Sequence, residues 1–339
     1  MNLLEPWILL RLLAGLTAGL LFVRGAITSL RVIRHFDVRR AIEGQLALER
    51  QAELGSTFVQ VGAVVQIGAL VLSVLTADRL SHSVRGAMCA YGVFHENPWG
   101  FPAVGFTAGV AFAAGIAVQL CTFDRSVRGL DLVRPIAVLS LLMAPLAVAD
   151  FALTSAFFLR LDLGVVASCC SVQLDVGALS RGGFASGPRE LVSTSAVISA
   201  SLAAIVGWAA SIRVRMPLVV LAATLSLIAV PMAVGAIVLE VAPHAFELPQ
   251  HACPFCLLRA DVLGIGYPLF GSIFLAVVWS AGAAAAGLAA GGEGRVEPFV
   301  TFARTRLRRG SLAWLVALFF GVGPVLRYGI VSGGRSLFP

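Results

Sequence analysis

The chain has 339 residues, 58% apolar and 13% charged, with mean hydropathy +0.92. A soluble domain carries about 25% charged residues, so this composition excludes a soluble globular fold and implies a membrane protein. The net charge of +7 comes entirely from arginine over acid; no basic groove with interleaved aromatics is present, which argues against a nucleic-acid partner.

A helix that crosses a bilayer needs about 20 apolar residues. The first such stretch, residues 7–30, is broken only by Arg11 and Arg24. It lacks the charged start and short apolar core of a cleavable leader. Residues 31–54 mix Arg and Glu at helical spacing. They predict a cytoplasmic or interfacial helix, either continuing the first span or lying on the surface. Residues 55–77 and 97–123 then carry no Asp, Glu, Lys or Arg, and residues 135–159 carry only Asp150. Residues 191–212, 216–239 and 262–292 are again uncharged, and residues 311–326 close the set. The Gly/Ala-rich run 281–292 suits close helix packing. The expected fold is all-α, a polytopic transmembrane helix bundle of about eight spans. It forms a single integral membrane domain over residues 1–339, in contact with membrane lipid.

Arginine sets the expected orientation. Segments 31–54, 124–134, 213–215 and 293–309 hold five, three, two and five arginines, against two, three and one in segments 78–96, 160–190 and 240–261. The arginine-rich group belongs in the cytoplasm, which puts both termini outside and suggests a bacterial inner membrane.

The outer segments 78–96, 160–190 and 240–261 then carry five of the six cysteines and four of the five histidines. Thiol–disulfide chemistry suits an oxidising compartment. Segment 78–96 holds Cys89 with His82 and His95, segment 160–190 the vicinal pair Cys169 and Cys170, and segment 240–261 His244, His251 and the motif Cys253-Pro254-Phe255-Cys256. A CxxC at a helix start lowers a thiol pKa, because the N-terminal dipole favours thiolate. The motif reads as a redox dithiol, as a soft-metal or haem ligand, or as a structural pair. A vicinal pair rarely closes on itself, so Cys169 and Cys170 either bridge to other cysteines or are adjacent by coincidence. Cys89 is either a relay thiol or a small buried residue, and Cys121, inside a span, reads as core packing. His251, two residues before Cys253, is the best-placed histidine for a ligand or proton shuttle. The c-type haem signature is absent because Leu257 follows Cys256. No GxSxG, Walker loop, HExxH or dinucleotide fingerprint is present. An ionisable residue inside a span is costly and suggests function. Asp150 is therefore half of an ion pair with Arg24 or Arg327, a residue at a water-filled edge, or a contact to a quinone head or proton path with Arg24. Glu240, at a span end, reads as an interface marker.

The CPFC motif before an apolar stretch resembles the active-site dithiol of the vitamin K epoxide reductase family. So does a loop cysteine, Cys89, followed by the helix entrance Trp99-Gly100-Phe101-Pro102 and Gly105. That family and the bacterial quinone-linked disulfide-forming membrane proteins use a four-helix bundle. The resemblance implies that Cys253 and Cys256 exchange electrons with a quinone and that Cys89 is a loop cysteine serving a soluble thioredoxin-like partner. The family's loop supplies two cysteines. Cys89 has no near neighbour, so Cys169 or Cys170 would serve from another loop.

The reading is an inner-membrane thiol–disulfide redox protein with Cys253, Cys256, Cys89, Cys169 and Cys170 as its reactive residues and quinone as cofactor. The alternative is a module in which Cys89, Cys253, Cys256 and His251 hold Cu or Zn, or a non-catalytic subunit among respiratory-complex partners. Reporter fusions at Arg128, Arg213 and Arg308 test the orientation: all three should report cytoplasm. An outside report at any two reverses the topology and dissolves the shared outer face.

Overall fold

A computed structural model describes residues 5–35, 43–84, 87, 89–127, 132–162, 187–249, 251–290 and 296–338. Of these residues 88% are helical and none is in a strand. The long helices are α1 (Pro6–His35), α2 (Glu43–Ser81), α4 (Gly100–Ser126), α5 (Val133–Leu159), α6 (Gly187–Ile212), α7 (Met216–Ala236), α9 (Gly266–Ala289) and α10 (Val296–Val331). Short helices α3 (Ala90–His95) and α8 (Ala242–Phe246) stand between them. Eight segments are long and apolar enough to cross a membrane, and the chain is a multi-pass membrane protein.

Residues 31–54 are divided between two elements. Their first residues complete α1 to His35, and from Glu43 they open α2. With no proline from Glu43 to Ser81, the Glu/Arg-rich start runs unbroken into the apolar span.

The chain divides into two compact units. The first is Met1–Ala167 with Ala285–Phe299, the second Ser168–Ala284 with Val300–Pro339.

In the first unit α1, α2, α4 and α5 close a ring, with α1 against α2 and α5, and α4 against the same two. Every helix of the ring sends a polar group to its centre. Arg11 of α1 and Asp150 of α5, both fully buried, pair at 3.2 Å between Nη2 and Oδ2. Gln66 Nε2 of α2 donates to the same Oδ2 at 2.9 Å. Thr107 of α4 donates to Asp150 Oδ1. Arg11 also donates through Nη2 to Thr154 Oγ1 at 3.1 Å and through Nε to Ser73. Asp150 is thus shielded from lipid, as the cost of a bare intramembrane carboxylate demands.

Its cation is Arg11, not Arg24 or Arg327, which is a correction to the sequence expectation. Thirteen residues of helix separate Arg11 from Arg24, about 20 Å of rise and about 220° of rotation. Arg24 is accordingly exposed on the outer side of α1. Arg327 pairs within its own unit with Glu247, at 3.5 Å.

In the second unit α6 packs along α7. Trp314 of α10, 1% exposed, donates its indole N–H to Ser226 of α7 at 3.0 Å. After α7 the helix widens into a π turn, Ile237–Val241, closed by the Ala242 N–H on the Ile237 carbonyl. One residue more per turn rotates everything beyond it relative to a continuing α-helix.

Removing one member of a buried ion pair costs about 3–5 kcal/mol, while replacing both by apolar groups is often neutral. Asp150→Leu alone should lower the thermal unfolding temperature of the detergent-solubilised protein sharply, and Arg11→Met with Asp150→Leu should recover most of it. Equal melting of the single variant and the parent would show that the pair does not hold the bundle.

Candidate functional site

The Cys253–Cys256 segment follows two backbone reversals. Glu247, at φ 55°, ends α8 in the left-handed region, and the Leu248 N–H returns to the Pro243 carbonyl at 3.1 Å. The His251 N–H then closes on Leu248 at 3.0 Å. Cys253 is extended at φ −84° and ψ 112°, and Pro254–Leu258 form a single 3-10 turn behind it. Beyond Val262 the chain turns through Leu263 and Gly264, at φ 57° and 60°. Gly264 takes that conformation freely; Leu263 holds it at a cost.

The motif is therefore not the start of a long helix, as its sequence position predicts. The next span, α9, begins at Gly266, ten residues after Cys256. Pro254 fixes φ and removes one amide at the head of the turn, and a single turn has a small dipole. Thiolate stabilisation at Cys253 is correspondingly weaker than a full helix would give.

Gly266 explains how the turn is seated. A Cβ there would lie 2.9 Å from the Leu257 carbonyl carbon and 3.0 Å from its oxygen, so α9 begins in backbone contact with the CPFC turn. The turn also packs against α8. This seat leaves Cys253 half-buried and Cys256 5% exposed. Among the described residues neither is joined in a disulfide. Their Sγ atoms lie within 4.8 Å of each other, a gap that side-chain rotation can close toward the disulfide length of about 2.05 Å.

His251 stacks on Phe246, with ring centroids 4.1 Å apart at 30°. Its buried Nε2 has no hydrogen-bond partner among the described residues. Burial first, and the Arg259 charge second, hold its pKa below the usual histidine range. The imidazole is therefore neutral at neutral pH and able to accept a proton. Because the folded pKa is depressed, stability is full above the ordinary histidine value and falls as pH drops below it.

Cys89 belongs to the first unit. It is buried and extended at the N-cap of α3, at φ −159° and ψ 177°. The Trp99-Gly100-Phe101-Pro102 stretch now has a physical reason. A Cβ on Gly100 would collide with the Phe94 carbonyl oxygen and lie 2.7 Å from its carbon. The Asn97 side chain accepts the Trp99 N–H at 3.0 Å and donates to the Phe157 carbonyl at 3.3 Å. Arg160 covers the Trp99 ring at 4.8 Å. These contacts tie the loop that follows Cys89 to the end of α5.

Cys121 is buried on α4. Cys169 and Cys170 lie outside the described residues. His82 and His95 are exposed, His95 stacking on Tyr91 at 5.9 Å.

One group named in the sequence acquires a partner that the sequence did not show. Glu240, in the π turn, forms an ion pair with Arg189, at 2.8 Å from its Nε, and faces His244 Nδ1 at 3.3 Å. The i,i+4 spacing of Glu240 and His244 was legible; the partner Arg189, 51 residues before Glu240, was not.

No protein-family model matches the chain, and neither a curated protein nor a solved structure resembles it significantly.

The seat at Gly266 can be tested directly. A methyl there must displace the Leu257 carbonyl, so Gly266→Ala should speed alkylation of Cys256 by N-ethylmaleimide several-fold, read by mass spectrometry of the intact protein. An unchanged rate would mean that the close contact does not control access to Cys256.

Proposed function

We propose that this multi-pass protein carries out thiol–disulfide exchange at the outer face of a bacterial inner membrane, with Cys253 and Cys256 as the exchanging pair. The observation that carries the reading is the paired thiols on one turn, with the more accessible sulfur on Cys253 and the buried one on Cys256.

In the oxidised state a thiolate of a soluble, thioredoxin-like partner attacks Cys253 Sγ, and Cys256 leaves as thiolate. The partner's second thiolate attacks the mixed disulfide at the partner's own sulfur, and Cys253 leaves. The partner has lost two electrons and two protons, and the pair now holds two thiols. Reoxidation needs a two-electron acceptor, for which a membrane quinone serves: two thiols plus quinone give disulfide plus quinol. His251, two residues before Cys253 and with a buried Nε2 that has no partner among the described residues, is the proposed acceptor of a thiol proton in this cycle. On the strength of the family resemblance, Cys89 with Cys169 or Cys170 is proposed as a relay pair that takes the partner's electrons first and then stands in the partner's place in the same two exchange steps at Cys253.

A second reading rests on the same pair. Two sulfurs at this separation suit a soft ion such as Cu(I) or Zn(II), which prefers thiolate ligands. Cys253 and Cys256 would hold it, and the pair would then handle metal and not electrons.

Acid-quenched cells treated with a maleimide of added mass separate the two. The redox reading expects a mixture of oxidised and reduced pair that shifts with mild reductant, and Cys256→Ser should trap a mixed disulfide through Cys253. A pair that stays fully reduced, with stoichiometric metal lost in both serine variants, would replace redox by metal handling. Full cellular activity in both variants with no metal would end both readings.

A further inference from the structure

The second unit holds a cavity of about 450 Å³, open on one side, between α6, α7 with its π turn, α9 and α10. Its volume falls in the range of small-molecule sites. The walls are Val, Ile, Leu and Ala, with the Trp314 ring among them. α6 and α7 pack side by side, and the lining residues Ser193 and Thr194 come early in α6 while Glu240 follows the end of α7. Polarity is thus gathered at one end. The hydroxyls of Ser193 and Thr194 are spent on their own helix, donating to the Glu190 carbonyl. The Glu240 carboxylate is therefore the strong acceptor that the cavity presents.

That carboxylate is placed deliberately by the backbone. The π turn inserts an extra residue where Glu240 stands, a device that occurs often at functional sites. Arg189 neutralises one oxygen at 2.8 Å, and its guanidinium rests 3.5 Å from the Phe338 ring centre. His244 commits its Nδ1 to the Glu240 backbone carbonyl at 2.7 Å. It is held between Tyr328 and Phe338, with centroids 5.5 Å away in each case. A carboxylate has about four acceptor positions, and this set leaves some of them open. Arg189 and Glu240 cancel in charge, so the polar end offers no net counter-charge to a headgroup of either sign. A charged head would lose its hydration here without compensation, whereas an uncharged hydroxyl loses little.

We propose that this cavity binds a membrane-soluble amphiphile with an apolar body and an uncharged, hydroxyl-bearing head, the hydroxyl donating to Glu240. The site is independent of the thiol chemistry. Two sources share this ligand chemistry, a quinol and a neutral glycerolipid.

The test uses the full chain in phosphatidylcholine nanodiscs and calorimetric titration with three probes: decylubiquinol, dioctanoylglycerol and dioctanoyl phosphatidic acid. At least one neutral probe should bind saturably, and phosphatidic acid at least tenfold more weakly. Binding of decylubiquinol alone assigns the cavity to a quinol; binding of dioctanoylglycerol, alone or with it, assigns it to neutral lipid. Gly321 lines the cavity, and a Cβ there has only Leu269 nearby, at 3.9 Å. Gly321→Leu should therefore fill the space and weaken binding at least tenfold. Glu240→Gln keeps the shape but leaves Arg189 uncompensated. It should weaken the neutral probe about tenfold, as loss of a hydrogen bond to a charged group does, and strengthen phosphatidic acid. That inversion is not produced by a merely structural role, and it decides the case if the leucine variant fails to fold. Cys253→Ser with Cys256→Ser should bind as the parent does, so failure of the redox reading leaves this result intact. No binding by either neutral probe, parental binding by Gly321→Leu, or no inversion in Glu240→Gln would overturn the proposal.

Discussion

The ion pair between Arg11 and Asp150 is the constraint around which the first unit is built. Two charges with no exposure at all are tolerable in a membrane only when each is matched and hydrogen-bonded. The matching groups cannot come from one helix. Arg11 needs Ser73, Thr107 and Thr154 as well as the carboxylate, and Asp150 needs Gln66. Apolar side chains pack about as well against lipid as against each other, so they give little reason for one arrangement of four helices over another. A polar centre supplied by all four does, because a helix that slides or rotates leaves an unmatched charge behind. Specificity from a buried pair is a hypothesis in any given protein; here its support is that every helix of the ring contributes.

The second unit solves a different problem. Among the described residues its helices carry no comparable buried pair at their centre. Its polar groups collect where regular helix gives way, at the π turn and in the two reversals that follow. Pro231 within α7 and Pro243 at the start of α8 weaken the helical ladder on either side of the π turn. The chain from Glu240 to Gly266 therefore leaves the bundle by steps instead of one sharp stop. The CPFC turn is the last of these steps. It packs on α8, and its backbone meets α9 at Gly266, so elements that flank or wall the cavity also seat the dithiol.

What the sequence carried and what it withheld divide along the same line. Helix number and span positions followed from uninterrupted apolar length, a quantity local to each segment. That Asp150 must be hidden also followed, since its cost depends only on where it sits in a span. Its partner did not follow. Arg11 and Arg24 are equivalent as letters on one apolar helix, and only the direction each faces separates them. The CPFC motif was visible as spacing, but its promotion to a helix start failed. Continuous low charge from Val262 onward hid the left-handed Leu263–Gly264 reversal, which a non-glycine residue helps to make. Glu240 stood out as an acid at a span end, yet nothing local distinguishes an interface marker from a carboxylate turned inward by a π turn.

The seat of the dithiol has a consequence for its chemistry. In a long helix the aligned peptide dipoles would stabilise a thiolate strongly and make the pair easy to reduce. Here the turn spans five residues and opens with proline, so little of that stabilisation is available. Burial of Cys256 acts in the same direction, since an apolar environment disfavours the charged form. A dithiol whose thiolates are poorly stabilised holds its disulfide more firmly and gives up electrons more readily. If the pair is redox-active, it belongs toward the reducing side of the CxxC range, and oxidation by a membrane-soluble acceptor becomes the favourable half of its cycle.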